Sequence, residues 1–138
     1  MSFINTKSMQ IYERTLDAAS LRQKELANNI ANVDTPNFKR SDISFESTLQ
    51  AYLEQKNAPI QLLQTDPRHI PAGPRSISQI QPEIIVENST AVNNNGNNVD
   101  IDSEMTQLAV NQIKYNAVVQ LISGHFNKLR TAIQGGGR

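Results

Sequence analysis

Residues 9–33 read MQIYERTLDAASLRQKELANNIANV. Apolar residues recur there in alternating steps of three and four: Met9, Tyr12, Leu16, Ala19, Leu26, Ile30 and Val33, with Gln23 filling one position of the series. That spacing lays side chains along one seam of an α-helix, the a/d pattern by which two helices pack. A second series lies at the far end of the chain: Ile101, Met105, Leu108, Gln112, Tyr115, Val119, Ile122, Phe126, Leu129 and Ile133. Two such seams predict a mainly α fold, with long N- and C-terminal helices paired as an antiparallel coiled coil. Gln23 and Gln112 stand out as polar seam positions, because a buried polar group can set register at some cost in stability.

The expected divisions are an N-terminal helix over 1–33, an irregular Pro- and Asn-rich middle over 34–98, and a C-terminal helix with a Gly-rich tail over 99–138. The first helix is expected to begin near Thr6 or Ser8, either of which can cap through its hydroxyl, and to run to about Ala31. Asn32 suits the left-handed position after the helix, and Thr35-Pro36 ends it, since the residue before proline is driven from the α region. In the middle, Phe45, Leu49, Tyr52 and Leu53 share one helical face, with Ser41-Asp42 placed to cap that short helix. Ile60-Gln61-Leu62-Leu63 and Ile84-Ile85-Val86 are the strand candidates, confined to edges by nearby prolines. Residues 88–98, nearly all Asn, Ser, Thr and Gly, read as a loop. The last helix should start at Asp100 or Asp102, where Asp100, Asp102 and Glu104 meet the positive end of the helix dipole. It should stop at Gly135-Gly136-Gly137.

A second apolar stripe runs beside the seam of the C-terminal helix: Val110, Ile113, Ala117 and Leu121. One partner helix covers only one seam. The extra face is therefore expected to pack either on the short 45–53 helix of the same chain or on a neighbouring subunit. A hairpin of two helices is marginal by itself, because ordering so many residues must be offset by buried apolar area. The monomer is accordingly expected to be poorly folded and to become helical on assembly.

Composition narrows the function. Of 138 residues, 13 are Lys or Arg and 13 are Asp or Glu, and no segment gathers the basic ones into a stripe. Binding to nucleic acid by phosphate neutralisation has no support, and no apolar run is long enough for direct membrane insertion. With no cysteine in the chain, disulfides, thiolate ligands and a Cys nucleophile are all excluded. The N-terminus lacks the basic-then-apolar pattern of a cleavable secretory signal, so none is expected. His69, between Arg68 and Ile70-Pro71, and His125, beside Phe126, stand in no metal-ligand or triad spacing. Residues 93–104 carry oxygen ligands without glycine at the sixth place of a calcium loop, and a capped helix start explains them better. Neither a catalytic site nor a metal nor a cofactor is expected; the chain reads as a non-enzyme.

Three asparagines within five residues are costly in a helix, yet Asn28, Asn29 and Asn32 close the first one. The segment Ala27-Asn28-Asn29-Ile30-Ala31-Asn32-Val33-Asp34-Thr35-Pro36-Asn37-Phe38 closely resembles the signature of the bacterial flagellar rod and hook family, A-N-N-I-A-N-x-x-T-P-x-F/Y. The family commonly has Gly before the aromatic residue; Asn37, which also accepts a positive φ, stands there instead. Residues 65–71, 96–105 and 111–115 extend the likeness over nearly the whole chain.

The resemblance implies a structural subunit of the flagellar rod, the drive shaft crossing the periplasm or cell wall, used for motility. It implies terminal helices paired in a layer lining a tube, and export in unfolded form by the flagellar type III export apparatus. The implied partners are further copies of the chain, other flagellar rod proteins and the adaptor to the membrane ring. Family subunits carry an early Phe-x-x-x-apolar export signal; here Phe3 is followed four residues on by Lys7, so residues 2–9 would serve export in another form. Ala27, Asn28, Asn29, Ile30, Ala31, Asn32, Thr35, Pro36 and Phe38 are the implied subunit contacts. The alternative is a cytoplasmic helical binding module such as an export chaperone. An enzyme using His69 with Asp66 or Asp34 would need an apolar pocket that the middle does not supply.

Overall fold

In the computed structural model, the described residues are 7–57, 76–88 and 96–135. Helix α1 spans Lys7–Ala31, strand β1 Ser41–Ser44, helix α2 Glu46–Asn57, a 3₁₀ turn Ile77–Gln79, strand β2 Glu83–Val86 and helix α3 Ile101–Gly135. The fold is mainly helical, with the two terminal helices packed against each other. At 1.5 Å per residue, the 25 residues of α1 span about 37 Å and the 35 of α3 about 52 Å.

Two contacts set the antiparallel register of the pair. Asn29, near the end of α1, bonds Glu104 in the first turn of α3, and Asn111 donates to the Ala19 carbonyl. The same register puts Lys7 opposite about residue 125, so the last turns of α3 run past the described part of α1.

The start of α3 agrees with the capping chemistry, whereas the left-handed position expected at Asn32 is not adopted. Asp100 caps α3, its Oδ1 accepting from the backbone N–H of Asp102 at 3.0 Å and more distantly from that of Ser103. At the other end α3 takes in Gly135. Asn32 closes α1 without a positive φ; among the described non-glycine residues only Asn37 has one, at 59°.

The middle is less irregular than its composition suggests. β1 pairs antiparallel with β2, Ser41 opposite Val86 and Ser44 opposite Glu83. Ser41-Asp42 therefore belongs to a strand, not to the cap of α2. α2 begins instead after Ser44 and Phe45, with the Leu49 N–H donating to the Phe45 carbonyl. Ile43, Phe45, Tyr52, Ile77 and Ile80 form a buried core with Ala18 of α1, and Ile11, Leu21 and Leu49 pack against its margin. This third layer was not apparent from composition, because five large side chains spread over some 40 residues produce no dense apolar run. The candidate strand Ile60-Gln61-Leu62-Leu63 and His69 lie outside the described residues.

Candidate assembly site at the joint of the terminal helices

The residues that make the joint come from three stretches: the end of α1 with its following turn, β1, and the lead-in to α3. Asn29 is wholly buried. Its Oδ1 accepts from the Ser41 N–H at 3.0 Å, and its Nδ2 donates to the Ser41 carbonyl at 2.8 Å and to Glu104 Oε2 at 2.9 Å. One amide thus pairs both backbone groups of a strand residue and reaches across to the other terminal helix. That explains a poor helix former in the last turn of α1: leaving such groups unpaired in the interior costs more than the lost propensity.

Glu104, 1% exposed, is held from the other side by Arg40 Nε at 2.5 Å. Arg40 spends its remaining donors on Glu87, Asp42 and Gln107, each at 3.1 Å. Burial pushes the Arg40 guanidinium down, but the hydrogen bond and charge of Glu104, with Asp42 and Glu87 adding, hold it well above its ordinary value. A buried carboxylate is tolerated here because every strong partner it needs is supplied.

A second pair of asparagines closes the turn. Asn97 is buried, and its Nδ2 lies within 2.9–3.1 Å of the carbonyls of Asn32, Val33 and Thr35, while its Oδ1 accepts from the Val99 N–H. Carbonyls left open at the end of a helix are thereby satisfied by a side chain 65 positions later in sequence. Asn98 accepts from the Arg40 N–H at 2.7 Å and donates to the Glu87 carbonyl at 2.8 Å. Asn32 folds back on Asn28, and Thr35 Oγ1 donates to Asn32 Oδ1. Gly96 is held at φ 81°, and a Cβ there would lie 2.5 Å from Asn37 Oδ1. Only glycine fits both constraints.

The structure spreads the signature residues unevenly. Asn29 is central to the joint, and Asn32, Ile30 and Phe38 are partly covered, whereas Ala27, Asn28, Ala31, Thr35 and Pro36 face solvent. On α1, Leu26 and Ala19 are buried, Met9, Tyr12, Leu16, Ile30 and Val33 are half-buried, and Gln23 is exposed. On α3, Leu108, Tyr115, Ile122 and Leu129 are half-buried, while Ile101, Met105, Gln112, Val119, Phe126 and Ile133 are exposed. The covered face alternates instead through Glu104, Leu108, Asn111, Tyr115, Val118, Ile122, His125 and Leu129. Every second seam position sits one residue earlier than the apolar pattern suggests; three of the four, Glu104, Asn111 and His125, are polar, which hid the shift from a pattern of apolar spacing. Gln112 bonds Asn116 on the surface, and Asn111 is the buried amide.

Val110, Ile113, Ala117 and Leu121 are all exposed, with Ile113 at 69%. Packing of this stripe on α2 is not what the chain adopts: α2 directs Tyr52 to the core with Ala18. Among the described residues no group of His, Cys, Asp and Glu is arranged to hold a metal ion.

Residues 9–39 match the family model described as Flagella basal body rod protein. Over 129 residues, 94% of this chain and 95% of the relative, the sequence is 40% identical to the flagellar basal body rod protein FlgB of Bacillus subtilis. The chain belongs to the flagellar basal body rod protein family. It is also 38% identical over 131 residues to FlgB of Borreliella burgdorferi (93% of this chain, 96% of the relative), and 30% identical over 132 residues to that of Salmonella typhimurium (94% of each).

In this rod-family chain the family-model match ends at Phe38-Lys39, one residue before Arg40, and the partners that complete the joint lie more than fifty residues further on. The sequence pattern did not mark Glu104, Asn97, Asn98 and Asn111 as buried residues, nor half-buried Arg40 as their partner. The available signal was the conjunction of a charged or amide residue with heptad spacing, seven apart at Glu104 and Asn111.

Proposed function

We propose that this chain is a non-enzymatic structural subunit of the flagellar basal body rod, assembling side by side with copies of itself and with other rod proteins into the tubular drive shaft. The observation that supports this most is α3 itself. A 35-residue helix presents Val110, Ile113, Leu121 and Phe126 to solvent on a chain alike to rod proteins over nearly its full length. An exposed apolar stripe along a rigid helix is an interaction surface. The polar joint complements it: the hydrogen-bonded corner around Asn29 and Glu104 holds the two helices in one register, so the stripe is offered in one geometry.

In this reading the subunit leaves the cytoplasm unfolded through the flagellar type III export apparatus, folds at the growing end, and meets the adaptor to the membrane ring at the base. No helix among the described residues is long and apolar enough to cross a membrane, which fits a rod held by protein contacts. The test is complementation of a deletion strain. Chains carrying Ile113→Asp or Leu121→Asp should be exported yet fail to restore rods and swimming; normal motility with either would refute the proposal. The chaperone alternative predicts a cytoplasmic dimer missing from purified basal bodies.

A further inference from the structure

The two-stranded sheet has two edges, and they differ. The Glu87 N–H donates to the Arg40 carbonyl at 2.8 Å, so by the antiparallel alternation Arg40–Glu87, Asp42–Ile85 and Ser44–Glu83 are the hydrogen-bonded pairs. The backbone groups of Ser41 and Ile43 therefore point away from β2, toward α1. They are taken: Asn29 pairs both groups of Ser41, Arg22 donates to the Ile43 carbonyl, and Asp42 Oδ1 accepts from the Ile43 N–H. The outer edge of β1 is closed by side chains.

On β2 the corresponding outward groups are those of Ile84 and Val86, and no described residue pairs with them. The side chains repeat the contrast. Ile84 lies opposite Ile43, on the face that carries the core, yet Ile43 is 5% exposed while Ile84 is 48% and Val86 51% exposed. The core-facing side of the sheet thus stops one strand short. Glutamates bracket the open edge: Glu83 has no ion pair among the described residues, and Glu87 faces Arg40 with Asp42 and Glu104 close by. Arg40 serves three carboxylates there and Arg22 serves Asp42 and Glu46, so two guanidiniums face four carboxylates and the region stays acidic.

We propose, resting on the rod reading, that the free edge of β2 takes a third strand from a neighbouring rod subunit, an extended apolar segment flanked by Lys or Arg. Main-chain bonds to Ile84 and Val86 supply the affinity and apolar side chains beside them extend the core face. Basic flanks opposite Glu83 and Glu87 select the strand. A second copy's own β2 is excluded by the same rule, because parallel or antiparallel in-register pairing would set glutamate against glutamate.

The test is residue-resolved amide hydrogen exchange on the dilute full-length chain and on purified basal bodies. The Ile84 and Val86 amides should exchange freely in the dilute chain and slow by ~100-fold or more on assembly, as expected for newly paired strand groups. Unprotected amides at both positions in basal bodies that contain the chain would overturn this inference, whereas basal bodies lacking the chain would overturn the rod reading instead. Ile84→Pro removes an outward N–H without breaking a bond to β1, so it should leave the dilute chain's circular dichroism unchanged and cut incorporation into rods at least ~10-fold. Should that variant unfold, Glu83→Lys, on an exposed side chain, should cut incorporation in its place. Wild-type incorporation by a folded Ile84→Pro chain, or by Glu83→Lys, would overturn the assignment.

Discussion

Asn29 Nδ2 lies 2.9 Å from Glu104 Oε2, joining two residues 75 positions apart in a fully buried contact. The pairing ties the terminal helices at one end, and the same amide fastens β1 to α1 through Ser41. Asn29→Ala would leave both Ser41 backbone groups and one Glu104 oxygen unpaired. The expected loss is about 2–4 kcal/mol, from the desolvation cost of orphaned polar groups. Urea unfolding of the dilute chain measures it, and a loss below about 0.5 kcal/mol would remove Asn29 from the joint.

Gly96 and Asn37 face each other across the turn. Gly96→Ala adds a Cβ at φ 81° where Asn37 Oδ1 stands 2.5 Å away, so it should cost about 1–3 kcal/mol. Asn37→Gly removes the obstructing side chain and suits the positive φ of that position. The double variant should recover part of the loss, a coupling of more than about 0.5 kcal/mol. Strict additivity in a thermal-unfolding cycle would contradict this geometry.

Much of the fold was legible in the sequence because helix ends and seam spacing are local properties. Thr35-Pro36, Asp100 and the heptad steps mark α1 and α3 without reference to anything else. The joint was not legible, since its logic is non-local: Asn97 reads as loop until the carbonyls of Asn32, Val33 and Thr35 are placed beside it. β1 was missed for a related reason. Ser41-Asp42-Ile43-Ser44 has only one strong strand former, and Asn29, Arg22 and β2 supply the pairing that its own side chains do not.

The polar seam gives a contrast between neighbours. Asn111 is buried and donates to the Ala19 carbonyl, while Gln112 is exposed and, among the described residues, its side chain bonds Asn116 alone. Asn111→Ala should destabilise the dilute chain by about 1–3 kcal/mol, and Gln112→Leu should stay within about ±0.5 kcal/mol. Equal effects would mean that the helix pair meets on the other face.

Acid should act on the Arg22–Glu46 pair. The hydrogen bond from Arg22 outweighs burial and holds the Glu46 carboxyl below its ordinary value of 4.5. The folded chain therefore keeps this group ionised at pH values where the unfolded chain has begun to protonate it. Stability from the pair is complete above about pH 4.5 and is lost as pH falls through the lowered folded value. Glu46→Gln should flatten the acid limb of a stability-against-pH curve in that window. Superimposable acid limbs would show that the pair contributes nothing.

In the proposed rod, neighbouring subunits cover the exposed stripe of α3. The chain has no cysteine, so Ile113→Cys places a single thiol on that stripe. Maleimide labelling of the variant in the dilute chain and in intact basal bodies then reads coverage directly. Rapid labelling is expected in the dilute chain and protection in the rod. Equal labelling of the two would contradict this coverage.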